Sequence, residues 1–148
     1  QLARATGWIH RAIDPSRLSV GDGPTPSEPW VTKLMADWRD DGLILSIAPL
    51  VECGLTEPPE RVVQGLACLA AALLRAGNPD GVFLSGGDTA EAVWHRIGAS
   101  ALLVREEILP GLMRGNFIGG PFDGLSVVTK AGAFGTPDTL NRLIHALK

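Results

Sequence analysis

The stretch Gly81-Val82-Phe83-Leu84-Ser85-Gly86-Gly87-Asp88-Thr89 decides the fold. An apolar run of strand length delivers two glycines, a carboxylate and a hydroxyl to the point where the next helix begins. A second junction of the same kind follows, where Ser126-Val127-Val128-Thr129 runs into Lys130-Ala131-Gly132-Ala133-Phe134-Gly135. At such a junction bare backbone N–H groups and the positive end of a helix dipole meet, and both favour a phosphate. Two of them in one domain point to a nucleotide site.

Outward from these junctions, strands alternate with helices. Trp8–Ile13 alternates as a strand before Asp14-Pro15, and Leu43–Ala48 is a short apolar run closed by Pro49 that suits a strand buried on both faces. Between them Gly21–Pro29 is a loop. Ser27 then caps a helix whose apolar stripe is Trp30, Val31, Leu34, Met35 and Trp38, with Asp37, Arg39, Asp40 and Asp41 as its solvated end. From Thr56 the period becomes helical through Val62, Leu66, Leu69, Ala70 and Leu73, and Gly77-Asn78-Pro79 stops the run. A helix is expected from about Ala90 to Ile97, ended by Gly98, and a short strand over Ala101–Val104. Glu106–Gly124 holds five glycines and two prolines with little periodicity and reads as an irregular connection. Leu125–Thr129 is a strand, and Thr136 caps a last helix that places Leu140, Leu143, Ile144 and Leu147 on the core. Gln1–Thr6 reads as the tail of a helix stopped at Gly7.

This alternation predicts an α/β fold: a single domain with a largely parallel sheet flanked by helices. Ligands in such sheets sit beyond the carboxyl ends of the strands, where both glycine turns fall.

A chain of 148 residues, 45% hydrophobic and 20% charged, suits one soluble domain. Its net charge of −3 supplies no basic footprint, so nucleic acid is not an expected partner. No apolar run is long enough to cross a bilayer, and the start has no signal-peptide pattern, so neither a membrane association nor a secretory route is expected and the chain reads as cytoplasmic. Cys53 and Cys68 are accordingly expected to be reduced thiols. The chain opens on Gln1 rather than Met and reads as part of a longer protein.

Gly86 and Gly87 let the backbone approach a ligand closely. Asp88 is placed to orient a magnesium ion through water, and the Thr89 hydroxyl and N–H to hold a phosphate oxygen. A tight turn followed by an ordinary cap uses the same residues, since Asp and Thr are favoured caps. The turn is neither GxxxxGK[ST] nor GxGxxG. Lys130 closes its strand within reach of a phosphate, or stands as a surface lysine, while Gly132 and Gly135 can pass beneath a sugar or base. Phe134 is a core plug or an adenine edge. His10, His95 and His145 have no partners at metal-ligand spacing, and no GxSxG elbow occurs. Glu106 and Glu107 are candidates for ribose or magnesium contacts, against solvated surface.

With SGGDTA at Ser85–Ala90, EEILPG at Glu106–Gly111 and TKAGAFGTPDTL at Thr129–Leu140, the chain resembles the C-terminal nucleotide-binding domain of the four-carbon acid sugar kinases, over nearly all of its length. The resemblance implies a two-domain enzyme that uses ATP, with Mg2+, to phosphorylate the terminal hydroxyl of a threonate, an erythronate or a 3-oxo-tetronate. It implies an acid sugar held mainly by an N-terminal domain absent from these residues. Gly86, Gly87, Asp88 and Thr89 would form one nucleotide loop, and Gly132 would belong to the second. Two features depart from the family. The pattern KSG[GN]FG has lost its serine and gained a methyl at Lys130-Ala131-Gly132-Ala133-Phe134-Gly135, which a backbone-mediated contact survives. The Gly-Ser-Cys-Ser motif that precedes the first helix in the family is missing, so an incomplete site is expected. The alternative function is a non-catalytic module of the same class that binds a sugar phosphate or a protein partner.

Overall fold

The computed structural model describes residues 8–18, 24–38, 42–47, 58–132, 139 and 143. The chain divides into two compact units between Asn78 and Pro79.

In the first unit, β1 (Ile9–Ile13) and β2 (Leu43–Ile47) form a parallel pair in register from Ile9 opposite Leu43 to Ile13 opposite Ile47. Helix α1 (Pro29–Asp37) and the longer α2 (Pro59–Gly77) complete the unit. Its core joins Ile13, Leu18, Val31, Leu34, Val62, Leu69 and Leu73, with Trp30, Met35 and Trp38 packed against it, so the predicted stripe of α1 is core. Burying a leucine such as Leu69 or Leu73 contributes about 1.5–3 kcal/mol, several times any propensity term in the helix that carries it. Gly65 has a packing role, because a Cβ there would collide with the Leu18 backbone.

Several local expectations change. The N-cap of α1 is Glu28 rather than Ser27, and the Glu28 carboxylate instead accepts the Thr25 N–H at 2.8 Å and the Trp30 Nε1–H at 2.6 Å. Asp37 is not simply solvated: its Oδ2 accepts from Arg11 Nη2 at 2.7 Å and Nε at 3.2 Å, tying α1 to β1. In β2 only Ile44 is buried, so the strand is half-covered rather than enclosed on both faces. Helix α2 starts at Pro59, and Asn78 stops it by taking a left-handed conformation at φ 43°. Thr56, from which the helical period is read, lies outside the described residues, as do Gln1–Thr6, Cys53 and nearly all of the last helix. Of that helix, Thr139 and Leu143 are described, both helical and buried.

The second unit is built on a four-stranded sheet in the order β3-β6-β5-β4. Strand β3 (Gly81–Ser85) lies parallel to β6 (Ser126–Lys130), β6 is antiparallel to β5 (Leu112–Ile118), and β5 is antiparallel to β4 (Ala101–Leu109). Helix α3 (Gly87–Ile97) packs on β3 and β6 and ends at Gly98, φ 74°. Val127 and Val128 of the central β6 point to opposite faces, and both are fully buried. The class is α/β as the alternation predicts, with a sheet that mixes parallel and antiparallel pairs.

The largest correction concerns Glu106–Gly124. This stretch is the end of β4, a turn at Pro110-Gly111, the whole of β5 and a short 3₁₀ turn over Gly120–Phe122. Its glycines looked like breakers but serve a sheet. Gly115 is buried opposite Val104, and a Cβ there would run into the Leu103 carbonyl. Gly111 supplies the left-handed residue of the hairpin turn at φ 76°.

Candidate functional site

Ser85 and Lys130 are the last residues of adjacent parallel strands and stand opposite one another in the ladder. Both glycine turns therefore leave the sheet at the same edge. One backbone bond joins them: the Gly86 N–H donates to the Lys130 carbonyl at 3.0 Å.

The first turn is a single residue. Helix α3 begins at Gly87, not near Ala90, so Asp88 and Thr89 sit in its first turn with Gly86 as N-cap. Gly86 has φ 100° and no side chain to cap with. The first intrahelical bond runs from the Ala90 N–H to the Gly86 carbonyl at 3.0 Å. The N–H groups of Gly87, Asp88 and Thr89 thus have no helical acceptor. Asp88 is exposed, and a Cβ on Gly87 would meet nothing within 4 Å. Bare donors, open space and the positive end of a helix make a cradle that fits a phosphate.

In the second turn the Lys130 ammonium folds back onto its own chain, donating to the Ala131 carbonyl at 3.0 Å and to the Gly132 carbonyl at 2.8 Å. Gly132 is exposed and has open space where a Cβ would be. Phe134 and Gly135 lie outside the described residues.

A third turn reaches the same edge, which sequence reasoning missed. The ladder pairs Leu112 with Lys130, so the β4–β5 hairpin tip abuts the second glycine turn, and the Ala131 N–H donates to the Gly111 carbonyl at 3.0 Å. The signal was present in EEILPG, but only pairing in space reveals it. Glu107 Oε1 accepts the Gly111 N–H at 2.9 Å. Glu106 faces Arg114 at 3.5 Å.

Among the described residues no group of three or more His, Cys, Asp or Glu is placed to hold a metal ion. Asp88 is the acidic residue of the α3 first turn. One carboxylate beside a phosphate cradle suits magnesium, which keeps several waters and takes its other ligands from phosphate. The described histidines have other roles. His10 Nε2 is 2.8 Å from Ser46 Oγ, and exposed His95 stacks on Trp94 and lies 3.7 Å from Glu91. His145 lies outside the described residues. No helix among them is long and apolar enough to cross a membrane.

Residues 3–140 match the family described as "Nucleotide-binding C-terminal domain". A D-threonate kinase of Bordetella bronchiseptica is 40% identical over 89 residues, 60% of this chain and 22% of its own length. A D-erythronate kinase of Heliobacterium modesticaldum is 29% identical across 88% of this chain and 32% of its own length. A crystal structure of a domain of unknown function from Bordetella bronchiseptica, with bound citrate, superposes with a TM-score of 0.78 at 32% identity, over 99% of this chain and 34% of that one. The chain thus spans a fifth to a third of the curated relatives named here. Its three motifs, its fold and these relatives agree, and the chain belongs to the nucleotide-binding C-terminal domain family of the four-carbon acid sugar kinases.

Proposed function

We propose that this chain is the ATP-binding domain of a kinase that phosphorylates the terminal hydroxyl of a four-carbon acid sugar. The observation that carries the reading is the bond from the Gly86 N–H to the Lys130 carbonyl, which sets an uncapped helix start beside a second glycine turn. The relatives named D-threonate kinase and D-erythronate kinase support the substrate class.

Bound ATP, with Mg2+, supplies the transferable phosphoryl group. The chain binds and orients it. The N–H groups of Gly87, Asp88 and Thr89 would donate to phosphate oxygens, and the Asp88 carboxylate would hold magnesium through water. Gly132 and Gly135 would pass beneath the sugar or base. Lys130 reaches a phosphate only by releasing the Ala131 and Gly132 carbonyls, and what drives that exchange is the attraction of the ammonium for a full negative charge in place of two carbonyl dipoles. Positioning and neutralisation of charge are what phosphoryl transfer chiefly asks of a protein.

The acid sugar and the base that activates its hydroxyl belong to polypeptide outside these 148 residues, in a cytoplasmic two-domain enzyme. Alone, the chain binds nucleotide weakly and phosphorylates nothing. The test is turnover of a four-carbon acid sugar with ATP by this chain and by a longer protein that includes it. Activity in the longer protein alone supports the division of labour. Robust activity in the 148 residues refutes it, and binding of sugar phosphate with no response to ATP points to a non-catalytic module.

A further inference from the structure

The geometry points to Glu107 as the positioning residue of the second glycine turn, acting through Gly111, and to the β4–β5 hairpin tip as a third wall of the site; the second half rests on the nucleotide reading above. Gly111 sits at φ 76° in a two-residue tip between Leu109 and Leu112, and glycine is the residue with most freedom to leave that conformation. Its two backbone groups are tied in opposite directions. Glu107 Oε1 accepts its N–H at 2.9 Å, and its carbonyl accepts the Ala131 N–H at 3.0 Å.

Ala131 lies one residue past the last ladder pair, Leu112 with Lys130, so the bond to Gly111 carries sheet pairing one step into the turn. On its other side the Ala131 carbonyl accepts from Lys130 Nζ. Both backbone polar groups of Ala131 are therefore engaged, and at neighbouring Gly132 the carbonyl also accepts from Lys130 Nζ while the space where a Cβ would stand is open. A relay from Glu107 through Gly111 to Ala131 holds the turn on its sheet side and leaves its outer side for a ligand. The carboxylate does this work with a hydrogen-bond acceptor. Its charge and any metal are not required.

The relay predicts how two variants of the chain differ. Glu107→Ala removes the acceptor, whereas Glu107→Gln keeps an amide oxygen in its place. Amide hydrogen exchange is read at Gly111 and Ala131, with the Val127 and Val128 amides in the sheet centre reporting any global loss of stability. Glu107→Ala should speed exchange at Gly111 and Ala131 by about tenfold with the two valines unchanged, and Glu107→Gln should restore wild-type exchange. Affinity for a non-hydrolysable ATP analogue with magnesium should fall several-fold in the alanine variant and recover in the glutamine variant. Unchanged exchange in Glu107→Ala overturns the relay. Loss of magnesium-dependent affinity in Glu107→Gln, with exchange intact, overturns the positioning role in favour of a direct ligand. If wild type and both variants all fail to bind nucleotide, the nucleotide reading and with it the third wall fall, while exchange still decides the relay itself.

Discussion

The Gly86 N–H donates to the Lys130 carbonyl at 3.0 Å, one step beyond the ladder pair of Ser85 with Lys130. That bond means the two glycine turns are not independent loops but two exits from one sheet edge. Their relative position is set by backbone pairing, so side chains can change at Ala131 without moving the turns.

Gly86 and Gly87 should respond differently to alanine. At Gly86 the strain is conformational, because φ is 100° and the nearest atom a Cβ would meet is Thr89 Oγ1 at 3.6 Å. Gly86→Ala is expected to destabilise the fold by ~1–2 kcal/mol. Gly87→Ala has open space and no such φ, so thermal unfolding should stay at wild type while nucleotide affinity falls at least tenfold. Thermal melts beside calorimetry separate the two.

Asp88→Asn tests the magnesium assignment. The side chain is exposed in the first turn of α3, so the stability lost is the helix-dipole term of ~0.3–1 kcal/mol. Nucleotide binding without magnesium should be unchanged or slightly stronger, and the increment that magnesium adds in wild type should disappear. Retention of that increment would move the metal contact elsewhere.

Lys130→Met should separate the lysine's two possible partners. If the ammonium leaves Ala131 and Gly132 for a phosphate, the loss should grow along the series AMP, ADP, ATP. A uniform loss across the series would mean that Lys130 only shapes the turn.

These residues also show what the sequence could reveal. Gly81–Ser85, the turn at Gly86 and Ser126–Lys130 were legible because strand, turn and helix signals follow one another within a few residues, although the helix starts at Gly87 rather than near Ala90. The β4–β5 hairpin was not. Its strands carry Arg114, Asn116, Glu106 and Glu107 where apolar alternation would have marked them, and Gly115 is set by the approach of Leu103, a contact between strands that no local window contains. Glu107 was singled out for its charge, yet it matters through a turn whose partner, Ala131, is distant in sequence. The N-cap at Glu28 escaped for a similar reason, since a serine beside it is the better cap in isolation.

Gly115→Ala tests that account of β5. The added Cβ meets backbone at Leu103, which cannot rotate away, so the expected loss is ~1–3 kcal/mol. A melting temperature within a degree of wild type would show that the hairpin can spread at little cost.

Glu28 gives a pH dependence. The Thr25 N–H first, and the Trp30 indole N–H second, hold its pKa below the ordinary carboxylate value. A carboxylate with a depressed folded pKa adds stability that is complete above its unfolded pKa and is lost as pH falls through the folded one. The difference in melting temperature between wild type and Glu28→Gln should therefore be largest near neutral pH and shrink on acidification. A difference that grows at low pH would contradict the assignment.

The most direct test of the central claim is a calorimetric titration of the 148-residue chain with a non-hydrolysable ATP analogue, with and without magnesium, beside Gly87→Ala. Saturable binding that magnesium strengthens and Gly87→Ala weakens at least tenfold is the predicted result. Binding that Gly87→Ala leaves untouched, or a chain that takes no nucleotide at all, would contradict a nucleotide site at the edge where Gly86 meets Lys130.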